Sequence, residues 1–316
     1  MTTSKSRSAS AIRIAVLVLA LMGCLSLPVT AAELHVDSSP AGGPPPLAIA
    51  VTPAYQFDAS LNRGGSTSVF KLFFDVNGNF AVSESLGLGL HFDYTYADYH
   101  FSGPVVFSRT KPWEKLHRLE FGGHVTYDLT PDWTLFVAPS VQFFREQDAG
   151  WGNALEYGGV VSVSRDFSKD LTLGIGVGAF SELEEVSVFP MLVITWKITD
   201  RLLLSNPSRP GPTGPAGLEL SYRIGNGWEV AAGGAYQSER FRLYRTSFGN
   251  DSIGESSALP VWGRLTRNIG RSFSFDCYAG AMLGGKLYID DRDGNRLTSD
   301  SYDPAPFVAL AVSSRF

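Results

Sequence analysis

The chain has 316 residues, with 26 Lys plus Arg against 31 Asp plus Glu and a formal net charge of −5. It carries no basic stripe, which excludes nucleic acid as an expected partner. Of its two cysteines, Cys24 falls in the export leader and leaves Cys277 alone, which excludes a disulfide framework or a cysteine metal site.

The amino terminus reads as an address. Lys5, Arg7 and Arg13 form a basic stretch, and Ile14 to Leu27 is an apolar run too short to span a bilayer comfortably. Small residues at Val29-Thr30-Ala31 and Thr30-Ala31-Ala32 place cleavage before Ala32 or Glu33, so residues 1–32 are the expected secretory signal peptide. A rival reading takes Leu21-Met22-Gly23-Cys24 as a lipoprotein site; Met22 fits it poorly and the apolar run continues past Cys24. Residues 33–45 follow as a periplasmic tail or a segment tucked into a lumen, and 46–316 as one domain.

From residue 46 onward alternation of apolar and polar residues is nearly continuous, and helical periodicity is absent. Leu47, Ile49, Val51, Tyr55 and Phe57 oppose Thr52, Gln56 and Asp58. Leu86, Leu88, Leu90 and Phe92 oppose Gly87, Gly89, His91 and Asp93. Leu119, Phe121, Val125 and Tyr127 oppose Arg118, Glu120, His124, Thr126 and Asp128. Leu218, Leu220 and Tyr222 oppose Glu219, Ser221 and Arg223, while Phe273, Phe275, Cys277 and Leu287 oppose Ser274, Asp276, Tyr278 and Lys286. The last strand sets Val308, Leu310, Val312 and Phe316 against Ala309, Ala311, Ser313 and Arg315. Successive strand side chains face opposite ways, so each strand has one apolar face and one bearing small or ionisable groups.

The connections decide between a soluble sandwich and a membrane barrel. Tight turns at Thr130-Pro131-Asp132, Ser168-Lys169-Asp170, Thr199-Asp200-Arg201, Gly225-Asn226-Gly227 and Gly270-Arg271 alternate with longer polar connections near 59–66, 102–114, 148–153, 206–216, 247–256 and 291–303. Trp133, Trp196, Trp228, Phe273 and Phe316 all lie within a few residues of a short turn or the terminus, as a membrane-interface girdle requires. The expected fold is therefore all-β, a transmembrane antiparallel up-and-down β-barrel of about fourteen strands, with twelve as the alternative count. The strands are expected at 47–58, 67–77, 86–101, 115–129, 133–147, 154–167, 171–182, 187–198, 202–206, 217–224, 228–246, 257–268, 272–290 and 304–316. The weak member is 202–206, which runs into Pro207-Ser208-Arg209-Pro210.

Asn206-Pro207, Gly217-Leu218-Glu219-Leu220-Ser221-Tyr222, Phe241-Arg242-Leu243, Leu259-Pro260-Val261-Trp262 and Asp303-Pro304-Ala305-Pro306-Phe307 carry a family likeness. On these residues the chain resembles a family of bacterial outer-membrane barrels of unassigned function. The resemblance implies the barrel and the outer membrane, and it brings no substrate, cofactor or catalytic residue.

Several groups bear chemistry and also have a plain structural role. His91, Asp93, Glu120 and His124 share the inward faces of two consecutive strands, where converging His and carboxylates ligate metals or exchange protons; a hydrated polar lumen accounts for them better, since every strand shows the same polarity and no ligand spacing is special, and no metal is assigned. Asp290-Asp291-Arg292-Asp293-Gly294-Asn295 has the start of a calcium loop without its closing glutamate, and a tight turn explains it as well. Gly211-Pro212-Thr213-Gly214-Pro215-Ala216-Gly217 reads as a stiff loop. No outward histidine pairs with an outward serine, which disfavours a lipid hydrolase.

The leading expectation is a passive or substrate-selective pore for small solutes, lined by His91, Asp93, Arg118, Glu120, His124, Asp128, Glu219, Arg223, Arg264, Asp276 and Lys286. A carrier of apolar ligands is disfavoured because the inward set reads as polar. The alternatives are a sealed barrel acting as a surface anchor and, remotely, a lipid-modifying enzyme. Expected partners are outer-membrane lipid and, through the C-terminal strand, the barrel-assembly machinery; no cofactor is expected.

Overall fold

In the computed structural model, residues 47–103, 112–207, 212–213, 216–246 and 249–316 are described. The expected signal peptide and tail, and much of the Gly-Pro loop at 211–217, lie outside the described residues. Strands β1 (Leu47–Ser60), β2 (Ser66–Ala81), β3 (Leu86–Ser102), β4 (Lys115–Thr130), β5 (Trp133–Glu146), β6 (Leu155–Ser168) and β7 (Leu171–Glu182) form the first half of one sheet. The second half is β8 (Glu185–Lys197), β9 (Leu202–Ser205), β10 (Gly217–Gly225), β11 (Trp228–Ala235, continued by Gln237–Arg242), β12 (Ile253–Ile269), β13 (Phe273–Asp290) and β14 (Arg296–Tyr302, continued by Ala305–Arg315).

The two pieces of β11 keep one register against β12, from Trp228 opposite Arg267 to Arg242 opposite Ile253. The two pieces of β14 likewise keep one register on β13 across Asp303-Pro304. Every strand pairs antiparallel with its chain neighbours, and β14 closes the sheet on β1 with Val51 opposite Val312. The result is a closed antiparallel barrel of fourteen strands. The alternative count of twelve fails because the short β9 is present and pairs on both sides.

Alternation sorts the faces as the period of a strand requires. Leu90, Ile175, Val186 and Val188 are exposed on the outer face, while Thr52, Thr95, Arg264, Thr266 and Asp276 are buried inside. Two bulges invert this pattern locally. Between Gln56 and Ala59 the register against β2 slips, which turns Ala59 and Leu61 inward. At Gly284, whose φ of 59° favours glycine, β13 takes on an extra residue. Beyond it Leu287 and Ile289 point inward and are buried, and Lys286 is exposed on the opposite face. Lys286 is therefore not on the lumen side, because the expected parity was carried straight through the bulge. The connection expected at 291–303 is also shorter than read: Arg296–Tyr302 is strand, joined to β13 by a tight loop at Asp291–Asn295.

Among the described residues the wall is incomplete on one side. β9 pairs with β8 only at Thr195, Trp196 and Lys197. Above them, Asn206 stands in for a strand: its Oδ1 accepts from the Ile194 N–H at 2.9 Å, and its Nδ2 donates to the Leu192 and Gly217 carbonyls at 2.9 and 3.1 Å. From Leu192 to Glu185, no strand among the described residues pairs with that edge of β8. Pro190 sits on it, where the lack of an N–H costs no ladder bond.

The upper half of β11 parts from β10 beyond Ala235 and turns inward, still paired with β12. Arg242 at the end of β11 bridges Arg145 of β5, which is not a wall neighbour. Around this hairpin the long-loop half of the interior is packed with apolar side chains, among them Val69, Phe73, Tyr99, Phe101, Trp113, Phe144, Phe241, Leu243, Ile289 and Phe307. The expectation of a uniformly polar lumen is thereby overturned. Tyr99 and Phe101 share the inward parity of His91 and Asp93, so the inward face of one strand changes from polar to aromatic along its length.

The candidate functional site: an asymmetric lumen

Three zones make up the interior, and the ladder register builds each of them. The first is a rung across five strands: Asp75 on β2 is opposite Asp93 on β3, Asp93 opposite Glu120 on β4, Glu120 opposite Gln142 on β5, and Gln142 opposite Glu156 on β6. Directly opposed side chains in such pairs lie about 4.5–5.5 Å apart at Cβ. His91, two residues before Asp93 on the same face, brings Nε2 to 3.6 Å from Glu120 Oε1. Gln142 donates a short hydrogen bond to Glu156, whose other carboxylate oxygen is buried without a partner. Arg118, one step up β4, lies 5.9 Å from the centre of the Phe144 ring. His124 stacks on Phe136 at 5.6 Å and stays out of the rung.

The second zone is a charge network nearer the short-turn end. Arg264, whose side chain is 1% exposed, donates to Glu219 at 2.5 Å and pairs with Glu229 at 3.0 Å and Asp276 at 3.3 Å. Arg264 also donates to Thr266, and Thr266 donates to Asp276 at 2.5 Å. Trp262 Nε1 donates to Glu219 at 2.9 Å, its ring lying over Gly233, where a Cβ would collide with it. One guanidinium thus answers three carboxylates without leaving a polar atom of its own exposed. Arg223 and Asp128 belong instead to the short-turn rim. Arg223 donates to the Asp200 carbonyl at 2.8 Å, and Asp128 accepts from Thr134 at 2.8 Å.

The third zone is the inturned hairpin and its fastenings. Arg240 pairs with Glu185 at 2.9 Å, Asp290 at 3.2 Å and Glu255 at 3.3 Å. Arg242 donates to the Asn153 carbonyl at 2.7 Å and pairs with Glu184 at 3.2 Å. Leu183 and Glu184 form a two-residue turn in the left-handed region (φ 42° and 68°), which aims the turn's carbonyl and carboxylate at the hairpin. Beside it opens a cavity of about 260 Å³ lined by Asn153, Ser181, Leu183, Glu184, Arg242 and Arg292. The residues of the family likeness meet in these zones: Glu219 and Trp262 in the network, Phe241 and Phe307 in the packed interior, Asn206 at the wall.

The interior apolar cluster draws residues from β1–β5 and β11–β14 and none from β6–β10. Along β7 the inward positions run Thr172, Gly174, Gly176, Gly178 and Phe180, with the Phe189 ring of β8 lying over Gly178 and stacked on Phe180 at 5.9 Å; Phe189 and Thr195 are exposed. Sequence reading missed Asp75 and Glu156, which register places in the rung, and Glu239, Arg240 and Arg242, which the inturned part of β11 carries inside, Glu239 pairing with Lys71 of β2 at 2.7 Å. On the outer face, the register sets His100 opposite Ser68, with no hydrogen bond between them. The outer His117 accepts from or donates to the Tyr94 hydroxyl at 2.9 Å. In the loop after β13, hydrogen bonds from Asn295 hold Asp291 below the usual carboxylate range. They occupy both Asp291 oxygens, which a calcium ion would need. Trp133, Trp196, Trp228, Phe273 and Phe316 are all exposed at the short-turn end.

A family model described as "Domain of unknown function (DUF6268)" matches residues 85–313. A comparison with curated proteins finds no match. Among solved structures, an outer membrane channel from Pseudomonas putida F1 is 9% identical and aligns over 90% of this chain and 100% of its own, with a TM-score of 0.50. The Pseudomonas putida toluene transporter TodX is 9% identical over 88% of this chain and 90% of its own, at a TM-score of 0.42. LpxR from Salmonella typhimurium is 10% identical over 85% and 100%, at 0.35. At these identities the likeness is one of fold.

Proposed function

This chain belongs to the DUF6268 family, whose description assigns no activity, and from that premise we propose that it is a channel for small solutes in a Gram-negative-type outer membrane. The short turns and the Trp133, Trp196, Trp228, Phe273 and Phe316 girdle face the periplasm, and the long connections face outward. The observation that carries the reading is the one-sided filling of the barrel. The apolar cluster takes nothing from β6–β10, and Gly174 and Gly176 of β7 add no side chain on that side, which leaves room below the Phe180–Phe189 pair for water and solute. Passage follows this side, from the cavity beside Arg242 down past Phe189 and Thr195. Outer-membrane lipid and the barrel-assembly machinery are its partners, and the channel performs no reaction.

Planar-bilayer recording of the refolded protein tests it. Discrete conductance steps are expected, and in a Cys277→Ala background Thr195→Cys should lose conductance when a bulky thiol reagent is added. Folded protein that gives no steps would sink the channel. The buried Arg264 network and the packed interior favour one second reading, a sealed barrel serving as an anchor. It would be left standing by that outcome.

A further inference from the structure

We propose that the inward faces of β3 and β4 form a binding site for a divalent transition-metal cation, with His91, Asp93 and Glu120 as ligands. One donor atom from each of the three lies within 4.8 Å of the others. Around a tetrahedral ion at ordinary bond lengths such atoms stand about 3.3 Å apart, so modest side-chain rotation closes the set. The backbone already fixes it: His91 and Asp93 are two apart on one face of β3, and Glu120 is directly opposite Asp93 on β4. The residue opposite His91 is Gly122, and a Cβ there would collide with the imidazole. The ring therefore lies in a slot that only glycine leaves, with Nε2 towards Glu120. Their 3.6 Å separation is too long for a hydrogen bond.

Charge supplies an independent reason for a cation. Asp75, Asp93 and Glu120 are directly opposed in sequence across three strands, and like charges in that relation destabilise a sheet. One oxygen of Asp75 is buried with no hydrogen-bond partner. The nearby Arg118 lies over the Phe144 ring, and its Nε is also without a partner. A divalent ion between Asp93 and Glu120 would offset the excess, with Asp75 behind Asp93 as an outer carboxylate. One imidazole with two carboxylates suits Zn²⁺, Co²⁺, Mn²⁺ or Fe²⁺ rather than Ca²⁺, which takes six to eight oxygens. Three protein ligands leave a position for water or for a passing solute.

The probe is Co²⁺ added to EDTA-treated, refolded full-length protein and followed by its visible d–d absorption, with Zn²⁺ as competitor. One equivalent should bind and be displaced by Zn²⁺. His91→Ala should abolish the bands, and Glu120→Gln should weaken binding at least tenfold. Asp128→Asn, at the rim, should bind as the native protein does. Absent bands in the native protein, or bands retained by His91→Ala, would overturn the site. Heat-modifiable gel migration checks the fold of each variant; if His91→Ala does not fold, Asp93→Asn and Glu120→Gln carry the decision, and unchanged binding in both refutes the proposal. A barrel that binds Co²⁺ yet conducts nothing would keep this site and lose the channel.

Discussion

At the scale of single residues, Asn206 joins two strands through one side chain. Its one amide satisfies the Ile194 N–H and the Leu192 carbonyl of β8 and the Gly217 carbonyl of β10, strands not laddered to each other. Asn206→Ala should cost about 0.5–1.5 kcal/mol, the net range for hydrogen bonds at groups that water can still reach, seen as a lower temperature for the shift from the folded to the unfolded gel band. An unchanged transition would mean that water replaces the amide freely. The sequence offered Asn206-Pro207 only as part of a family likeness, and nothing local marks the side chain as a bridge. Arg264 was legible as an inward residue because alternation on β12 is unbroken there. Its three carboxylate partners come from β10, β11 and β13, and pairing register is not written in any one strand.

Among elements, the hairpin of β11 and β12 behaves differently from the rest of the wall. It keeps register with itself and, through β12, with β13, while β11 leaves β10 beyond Ala235, so the inward position of β11 depends on Arg240 and Arg242 gripping the β7–β8 turn and Asn153. Glu184 and Glu185 are exposed, so the ion pairs are weakened by solvent and salt, and the carbonyl bonds and apolar packing hold more firmly. The double variant Arg240→Ala with Arg242→Ala should loosen the hairpin and raise single-channel conductance or its noise; recordings identical to the native protein would show that apolar packing alone holds it. All fourteen strands were legible because a period of two persists wherever one face meets lipid. The inturned hairpin was not, since a strand that leaves the wall keeps the same alternation as one that stays. Gly284 hid the reversal of Lys286 and Leu287 in the same way: one inserted residue changes faces without changing composition.

For the whole molecule, the interior is divided between a packed side and a spare side, and the wall between a sealed arc and an open one. Barrel closure normally abolishes free strand edges. Among the described residues the edge of β8 from Leu192 upward keeps one, with Pro190 in it. By the alternation of the ladder, the Val188 and Leu192 amides face that edge, and those of Phe189 and Met191 face β7. Amide exchange should therefore be fast at Val188 and Leu192 and slow at Phe189 and Met191; equal protection at all four would show the edge to be covered. Cooperative structures come apart first where the fewest bonds must break together. A fourteen-strand ring with a seam already unbuttoned for half its height has a fixed place to begin, so its dismantling should run outward from β8 like a zipper, whatever the barrel carries.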